Sequence, residues 1–342
     1  MTTSPAPSRA LIIRPSALGD VARSVPVLAS LRAAYPDTRI DWVVRDDFAP
    51  VVENHPALNA VVPFQRKVIG RALTRGDIGP LLAFGRSLRA PGYDLVLDCQ
   101  GLARSGLMTL WAGAGARVGH ADARECAWLA YNRRVPCGPD AHTVARMLTL
   151  VEAIGVPAKS DAAAMRLYSS ADARRWLALR PWAQRRYAVL APTSAWRTKE
   201  WPPDRFAALA RKLSVRGIVC VVTGGKGDRE RLAALLDVPH ANPLVHDLVG
   251  GTSIAQLMAL IEGASLVVAN DSAAAHIAVG FDRPLVALFG PTDPALAGPW
   301  GRDADVIRHA AGDYHYRDPR SGASMRRITV EEVLDAAGKR LW

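Results

Sequence analysis

The sequence of 342 residues lacks the patterns that identify several common classes of protein. Its four cysteines are scattered, with no C-x-x-C pair and no histidine cluster at ligand spacing, so neither a zinc site nor a disulfide framework is expected. No apolar run approaches the roughly 20 residues that span a bilayer. The polar, proline-rich first ten residues show no signal-peptide core. These absences favour a cytoplasmic protein whose contact with a membrane would be peripheral.

The glycine-rich phosphate loops are also missing. Neither half of the chain contains G-x-G-x-x-G or G-x-x-x-x-G-K-[ST], which argues against a nicotinamide oxidoreductase and a P-loop NTPase. Acidic residues are in deficit, with 32 Asp and Glu against 43 Lys and Arg and a net charge of +11. This excess favours anionic partners, such as nucleic acid, an acidic membrane surface, a phosphorylated glycan or a nucleotide sugar. The basic residues form no stripe interleaved with aromatic residues, so nucleic acid is not the expected partner.

Short apolar, β-branched runs alternate with helical patterns in both halves, which indicates parallel sheets covered by helices on both faces. The predicted strands are 11–15, 40–45, 59–64, 94–100 and 116–120 in the first half, and 187–193, 217–225, 264–271 and 283–290 in the second. We therefore predict an α/β protein of two doubly wound, Rossmann-like domains, residues 1–165 and 166–328. The segment 329–342 predicts a helix with Thr329 as N-cap and Glu332 as its capping-box partner, and we expect this helix to pack on the first domain.

The second half contains a candidate ligand site in "VVANDSAAAHIAVGFDRPLVALFGPTDP", residues 267–294. A predicted strand ends at Asp271, small residues follow, and His276 stands about one turn into the next helix. The N–H groups at the start of such a helix form an anion site, and small residues let a ligand approach the backbone. The structural alternative is an ordinary helix cap by Asp271 and Ser272 with a core histidine.

A lysine supports the same site. In "APTSAWRTKEWP", residues 191–202, Lys199 stands just before a predicted helix. An ammonium beside a helix N-terminus is unfavourable, and a bound diphosphate would compensate it. The alternative is a solvated loop lysine.

Four motifs occur in one order along the chain: "SALGDV", "YDLVLDCQGL", "TKEWPPDRF" and "NDSAAAHIA" followed by "PLVALFGPTDP". Together they resemble glycosyltransferase family nine, the bacterial heptosyltransferases, over nearly the whole chain. The resemblance implies the GT-B fold, in which two Rossmann-like domains face each other across a cleft. It also implies a metal-independent, inverting transfer of heptose from ADP-heptose to lipopolysaccharide core, with no cofactor, at the cytoplasmic face of the inner membrane.

Two further stretches, "ADARECAWLAYNRRV" and "HTVARMLTL", are similar to the branch that adds the first heptose to a Kdo-lipid A acceptor. The resemblance implies that Arg124 and Arg146 bind phosphate and carboxylate groups of this anionic, lipid-linked glycan. It implies a similar role for Arg66 and Lys67. For each of these residues the alternative is a solvated surface charge.

The turn "SALGD", Ser16 to Asp20, follows the first predicted strand. The family has its base aspartate at the position of Asp20, so the resemblance implies that Asp20 accepts the proton of the acceptor hydroxyl and that Ser16 meets the acceptor. The alternative for Asp20 is the N-cap of the following helix. A carboxylate oxygen held by backbone N–H groups is a weaker base.

In the second domain the resemblance implies that Lys199 holds the donor diphosphate, as a group that stabilises the charge of the leaving nucleotide. Asp271 would orient the sugar hydroxyls of the donor. The remaining donor-binding residues would be Thr193, Ser194, Ser272, Ala273 and His276.

Two positions depart from the family pattern and bear on the donor. Ala273 stands where the family has glycine, and its methyl group would narrow the approach to the phosphate. Lys226 stands where the branch has a ribose-binding glutamate, so Asp228 or Glu230 would substitute. Two alternatives therefore stay open: a relative that uses another nucleotide sugar or acceptor, and an inactive nucleotide-sugar-binding protein.

Overall fold

The computed structural model describes residues 6–310, 312 and 314–342. The chain divides into two compact units, residues 1–167 and 168–342. Residues 1–5 of the polar start lie outside the described residues. Each unit is built around its own parallel sheet, which confirms the predicted α/β class.

The first unit has a six-stranded parallel sheet in which the first strand lies near the centre. The strands are β1 (Arg9–Ile13), β2 (Arg39–Arg45), β3 (Ala60–Phe64), β4 (Leu95–Asp98), β5 (Ala116–His120) and β6 (Arg133–Val135). The helices are α1 (Leu18–Arg23), α2 (Val25–Ala34), α3 (Arg66–Leu73), α4 (Gly79–Arg89), α5 (Ala103–Ala112) and α6 (Thr143–Glu152). The strand order is β3-β2-β1-β4-β5-β6, so the chain reverses its direction of winding between β1 and β4.

The second unit repeats this plan. Its strands are β7 (Tyr187–Ala191), β8 (Val219–Gly224), β9 (Val245–Val249), β10 (Leu266–Asn270), β11 (Leu285–Phe289) and β12 (Val306–Arg308). Its helices are α7 (Ala171–Ala178), α8 (Pro203–Val215), α9 (Ala233–Leu236), α10 (Val238–Ala241), α11 (Ile254–Glu262), α12 (Ala273–Gly280), α13 (Pro294–Ala297) and α14 (Val330–Leu341). The order β12-β11-β10-β7-β8-β9 places its reversal between β7 and β10.

The central strands are apolar because helices cover both faces of each sheet. Every residue of β7, β10 and β11 is buried. In the first unit, Leu11 and Ile13 of β1 pack with Phe84 and Leu88 of α4 on one face of the sheet. This burial explains why the sequence shows continuous apolar runs at these strands instead of an alternating pattern.

All nine predicted strands are present, and the residues that the structure describes form three further strands that were not predicted. These are β6, β9 and β12, and each lies at an edge of its sheet. β6 and β12 are only three residues long. The three middle residues of β9 are half-buried, and two of them are polar. An edge strand packs on fewer neighbours, so it carries a weaker apolar pattern.

The C-terminal helix corrects one expectation. Its cap is as predicted, because Thr329 Oγ1 accepts the N–H of Glu332 at 3.2 Å and a Glu332 carboxylate oxygen accepts the N–H of Thr329 at 2.6 Å. The expected packing on the first domain is wrong, since Val333 and Leu341 of α14 lie in the core of the second unit with Phe206 of α8. The apolar stripe of α14 completes the cover of the second sheet.

We expect Thr329→Ala to lower the free energy of unfolding by about 1 kcal/mol, because it removes the N-cap acceptor of α14. Equilibrium urea unfolding followed by circular dichroism measures this loss. Ser87→Ala, at an exposed position of α4, is the control and should stay within about 0.5 kcal/mol of the wild type. Equal stability of the two variants would contradict the assignment of Thr329 as a stabilising cap.

Candidate functional site

Four of the predicted site residues, Ser16, Asp20, Ser194 and Asp271, follow the carboxyl ends of the strands at which each sheet reverses its winding. The turn that contains Ser16 and Asp20 follows β1, whose neighbour in the sheet is β4. In the second unit, Ser194 follows β7 and Asp271 follows the neighbouring β10. Doubly wound sheets bind ligands in the crevice outside these strand ends. The topology therefore gives each unit one candidate site.

Asp20 lies in the first turn of α1 and is held by two arginines. Its Oδ2 lies 3.0 Å from an Arg14 guanidinium nitrogen, and its Oδ1 accepts a hydrogen bond from Arg23. The Ala17 N–H donates to Oδ2 at 3.2 Å. Ala17 is the N-cap residue and Asp20 is the third helical residue. The capping interpretation therefore placed Asp20 correctly at the start of the helix, but Asp20 is not the N-cap.

The two arginines decide the charge of Asp20. Burial raises the pKa of this carboxyl, but the positive charges of Arg14 and Arg23 lower it more, and the pKa lies well below its ordinary value. Asp20 is therefore ionised at neutral pH. The same ion pairs reduce its basicity, since a proton must displace them.

The turn after β4 is fixed by Asp98, which the sequence analysis did not select. The buried Asp98 accepts the N–H groups of Gln100 at 2.9 Å and Gly101 at 3.1 Å, and the Tyr131 hydroxyl at 2.6 Å. Gly101 has a φ of 68°, a conformation that favours glycine. The Ser16 N–H donates to Gln100 Oε1 at 3.2 Å, so the turns after β1 and β4 are joined.

A cavity of about 190 Å³ adjoins these turns in the first unit. Its lining includes Arg14, Gln100, His120, Asp122, Arg124 and Arg146. The structure thus brings together two of the predicted acceptor-binding arginines, and it adds Arg14 to them. Arg66 and Lys67 do not line this cavity.

Arg146 and Arg124 differ in their surroundings. An Arg146 guanidinium nitrogen donates to both carboxylate oxygens of Asp122 at 2.9 and 2.8 Å, and another donates to the Gly138 carbonyl at 3.2 Å. Arg124 is exposed. Its side chain forms no hydrogen bond or ion pair with any residue that the structure describes. Arg124 is the more available of the two for an anionic ligand.

His120 at the end of β5 anchors the helix that carries Arg146. Its Nε2 donates to the Arg146 carbonyl oxygen at 2.8 Å. Burial lowers the pKa of His120, so the ring is neutral at neutral pH. This histidine therefore positions α6 and adds no charge to the cavity.

Arg66 and Lys67 begin α3 and are exposed. Arg66 belongs to a second basic group, with Arg45 at the end of β2 and Arg104 in the first turn of α5. Burial lowers the pKa of Arg104, and the charges of Arg66 and Arg45 lower it further. The buried Nε of Arg104 has no hydrogen-bond partner within the described part of the chain. Arg45 and Arg104 were not among the predicted site residues, although Arg45 ends one predicted strand and Arg104 follows another.

In the second unit, Lys199 is paired with Asp271. Their side chains are 13% and 10% exposed, and Nζ lies 2.7 Å from Oδ2. Nζ also lies 4.4 Å from the centre of the Tyr316 ring. Lys199 is therefore not a solvated loop lysine. The carboxylate of Asp271 compensates the ammonium charge, which would be unfavourable alone beside a helix N-terminus.

Hydrogen bonds join the turns after β7 and β10. Ser194 Oγ donates to the Asp271 carbonyl oxygen at 2.8 Å. Asn270, at the end of β10, accepts the Trp201 N–H at 3.0 Å and donates to the Pro192 carbonyl oxygen at 2.6 Å. These bonds hold the two turns in one arrangement, with Thr193 between Pro192 and Ser194.

The start of α12 lies directly after Asp271. Ser272 is the N-cap residue in an extended conformation, and its side chain makes no capping hydrogen bond. The first N–H groups of a helix have no partner within it, and those of α12 begin at Ala273. His276 is buried in the same helix. Lys199 and the start of α12 together form a site suited to an anion such as a diphosphate.

The residues expected to replace the ribose-binding glutamate are otherwise engaged or exposed. Asp228 accepts the Gly225 N–H at 2.7 Å and a hydrogen bond from Arg231. Arg231 also donates to Glu200 at 2.7 Å. Lys226 and Glu230 are exposed. Asp228 thus supports its own turn within the second unit.

Glu200 is a further residue that the sequence analysis missed. Its Oε1 accepts the Ser194 N–H at 2.8 Å as well as the Arg231 hydrogen bond. Burial raises the pKa of Glu200 although these two donors oppose the shift. Glu200 therefore positions the Ser194 backbone beside the anion site. The described residues contain no cluster of three or more His, Cys, Asp or Glu side chains placed to hold a metal ion.

Comparisons with known proteins give one family. The model of glycosyltransferase family 9 (heptosyltransferase) matches residues 81–322. The chain is 32% identical to lipopolysaccharide heptosyltransferase 1 of Pseudomonas aeruginosa over 306 residues, which are 86% of this chain and 82% of that protein.

Two solved structures from Escherichia coli match nearly the whole chain. ADP-heptose lipopolysaccharide heptosyltransferase II has a TM-score of 0.80 and 26% identity over 97% of this chain and 98% of that one. Heptosyltransferase WaaC with ADP has a TM-score of 0.79 and 27% identity over 97% and 99%. These matches confirm the expected GT-B fold class.

The ion pairs of Asp20 predict a pH-dependent stability. Because its pKa is lowered in the folded protein, the ionised group stabilises the fold above the unfolded pKa of about 3.9, and this stabilisation is lost as the pH falls. Asp20→Asn should therefore be less stable than the wild type at pH 7, with a difference that shrinks below about pH 4. Urea unfolding at pH 7 and below about pH 4 measures this difference in the free energy of unfolding.

The exposed Asp37→Asn is the control and should remain within about 0.5 kcal/mol of the wild type at both pH values. An Asp20→Asn deficit that is the same at pH 7 and at acid pH would contradict the ion-pair account.

Proposed function

This chain belongs to glycosyltransferase family 9, the heptosyltransferases, and on that premise we propose that it transfers heptose from ADP-heptose to a Kdo-lipid A type acceptor of lipopolysaccharide core. The first unit binds the acceptor and the second binds the donor. The observation that carries the proposal is the Arg14–Asp20 ion pair. It joins an ionised carboxylate to a cavity lined with arginines.

The donor site is the anion site of the second unit. The diphosphate of the donor lies between the Lys199 ammonium and the first N–H groups of α12. Thr193 and Ser194 contribute hydroxyls, and their turn is already fixed by Glu200 and Asp271. As the bond to the anomeric carbon breaks, the electron pair stays on the diphosphate, and Lys199 and the helix N-terminus stabilise the new charge without a metal.

Asp20 is the general base. The acceptor oxygen attacks the anomeric carbon from the side opposite the diphosphate, and its proton passes to the Asp20 carboxylate. Arg14 connects this step to acceptor binding, because it both pairs with Asp20 and lines the cavity. An acceptor carboxylate or phosphate that draws on Arg14 weakens the ion pair and raises the basicity of Asp20.

Arg124 and Arg146 hold anionic groups of the acceptor in the cavity, and Arg66 and Lys67 contact further groups beyond it. For Arg146 the ligand competes with Asp122, its partner in the structure. The lipid of the acceptor places the enzyme at the cytoplasmic face of the inner membrane. Among the helices that the structure describes, none has the length and apolar character to cross a membrane.

A donor other than ADP-heptose is the second candidate. It is favoured by the engagement of Asp228 with Gly225 and Arg231, which leaves the exposed Glu230 as the remaining replacement named for the ribose-binding glutamate. A panel of nucleotide sugars separates the two candidates by which donor is bound and consumed. Binding of a donor without any transfer would favour an inactive nucleotide-sugar-binding protein.

The test uses that panel with purified enzyme, Kdo-lipid A as acceptor and mass-spectrometric detection of the product. We expect transfer with ADP-heptose. Lys199→Met should weaken ADP-heptose binding in calorimetry by about 10- to 100-fold, the equivalent of one lost charged hydrogen bond.

Lys212→Met is the matched control, because Lys212 is half-exposed on α8 and pairs with Glu331 at 3.5 Å. Its donor affinity should equal that of the wild type. Failure of ADP-heptose to bind, or equal affinities of the Lys199 and Lys212 variants, would refute the proposed donor site.

A further inference from the structure

The outer faces of α3, α4 and α5, with the loop between α3 and α4, carry an unusual number of exposed apolar side chains. Six of them are between 41% and 57% exposed: Val68, Leu73, Ile78, Leu82, Leu107 and Leu110. We call this region the α3–α5 surface. Single exposed apolar residues are ordinary, whereas a group on neighbouring helices marks an interaction site.

These side chains are not the core-facing stripe of their helices. That stripe is formed by other residues, among them Ile69 of α3, Phe84 of α4 and Met108 of α5, which are buried together. Leu82 and Leu110 instead line an outer groove of about 310 Å³. The helices therefore have a second apolar face that nothing in the described chain covers.

The charge of the α3–α5 surface is strongly one-sided. Residues 65–90 contain six basic residues and one acidic residue, Asp77. The basic residues are Arg66, Lys67, Arg71, Arg75, Arg86 and Arg89, and all are exposed. None forms an ion pair with another residue in the described ranges. Arg86 and Arg89 line the same groove as Leu82 and Leu110.

We propose that the α3–α5 surface docks this enzyme on an anionic lipid bilayer, with the apolar side chains entering the headgroup region and the arginines contacting lipid phosphates. Helices that lie in a membrane interface combine apolar side chains with Lys and Arg. A second copy of the chain fits less well, because a symmetric contact would oppose two sets of six unpaired positive charges.

The position of the surface suits the proposed function, on which this step of the inference rests. α3 and α5 begin after the carboxyl ends of β3 and β4, the edge of the first sheet at which Asp20 and the cavity lie. Arg66 and Arg104 stand at these helix starts. A lipid-linked acceptor can thus keep its acyl chains in the bilayer while its sugars reach the cavity.

The test is flotation of the full chain with vesicles of phosphatidylcholine alone and with vesicles that also contain phosphatidylglycerol. We expect binding to the anionic vesicles, weak binding to the neutral ones, and loss of binding at high salt. Arg71→Gln/Arg75→Gln should weaken binding by about 25-fold, from about fivefold for each charge removed.

Ile78→Asp tests the apolar part and should weaken binding by about tenfold or more, since it replaces an inserted side chain by a charge. Its matched control is Leu179→Asp, because Leu179 is 78% exposed in the second unit. That variant should bind like the wild type. Circular dichroism verifies that each variant is folded.

Absence of wild-type binding to anionic vesicles, or equal binding of the Ile78 and Leu179 variants, would overturn the proposal. Self-association in light scattering that Ile78→Asp abolishes, with no vesicle binding, would assign the surface to a second copy and also overturn it. Transfer to a delipidated, soluble acceptor is measured in parallel. If the wild type does not bind vesicles but transfers heptose to the soluble acceptor, only the docking surface is refuted. If the wild type binds vesicles but does not transfer heptose, the proposed function is refuted.

Discussion

The contact between Arg14 and Asp20 is the interaction on which the candidate site of the first unit depends. Arg14 is buried, donates to the Cys99 carbonyl oxygen after β4 and pairs with Asp20 after β1. It also lines the cavity that contains Arg124 and Arg146. One guanidinium thus joins the two turns and keeps the carboxylate of Asp20 ionised. Because the same guanidinium lines the cavity, an anion bound there would alter its ion pair with Asp20. In our account, acceptor binding acts on the base through this side chain.

In the second unit the functional group that is held in an ion pair is a cation, Lys199, instead of a carboxylate. Lys199 would be unfavourable alone beside helix N-termini, and Asp271 compensates it at 2.7 Å. A diphosphate offers more negative charge than one carboxylate, so it can compete for Lys199 without leaving the ammonium unpaired. In both units the reactive group is already paired, and a ligand exchanges with an existing partner.

Much of this could be predicted from the sequence, because the central strands and the residues directly after them are local patterns. In the predicted pattern and in the structure alike, Asp20 lies after the first strand where a helix begins, Lys199 lies between a strand and the following helix, and Asp271 lies at the carboxyl end of another strand. Their partners could not be read in the same way. Arg14 donates a hydrogen bond to the carbonyl oxygen of Cys99, which is 85 positions away in the sequence. Arg231 donates to Glu200, which is 31 positions away. Edge strands such as β6, and the placement of α14 on the second sheet, depend on packing that no local pattern records. The roles of the predicted site residues stay predictions.

The central claim is that Asp20 acts in transfer and not in donor binding. Its most direct test measures ADP-heptose affinity by calorimetry and transfer by mass spectrometry on one preparation of Asp20→Asn, with Asp37→Asn as control. Our account predicts unchanged donor affinity and a transfer rate lowered by about 10²- to 10⁴-fold, the usual contribution of a general base, with both values unchanged in the control. Transfer by a folded Asp20→Asn enzyme at the wild-type rate would contradict it.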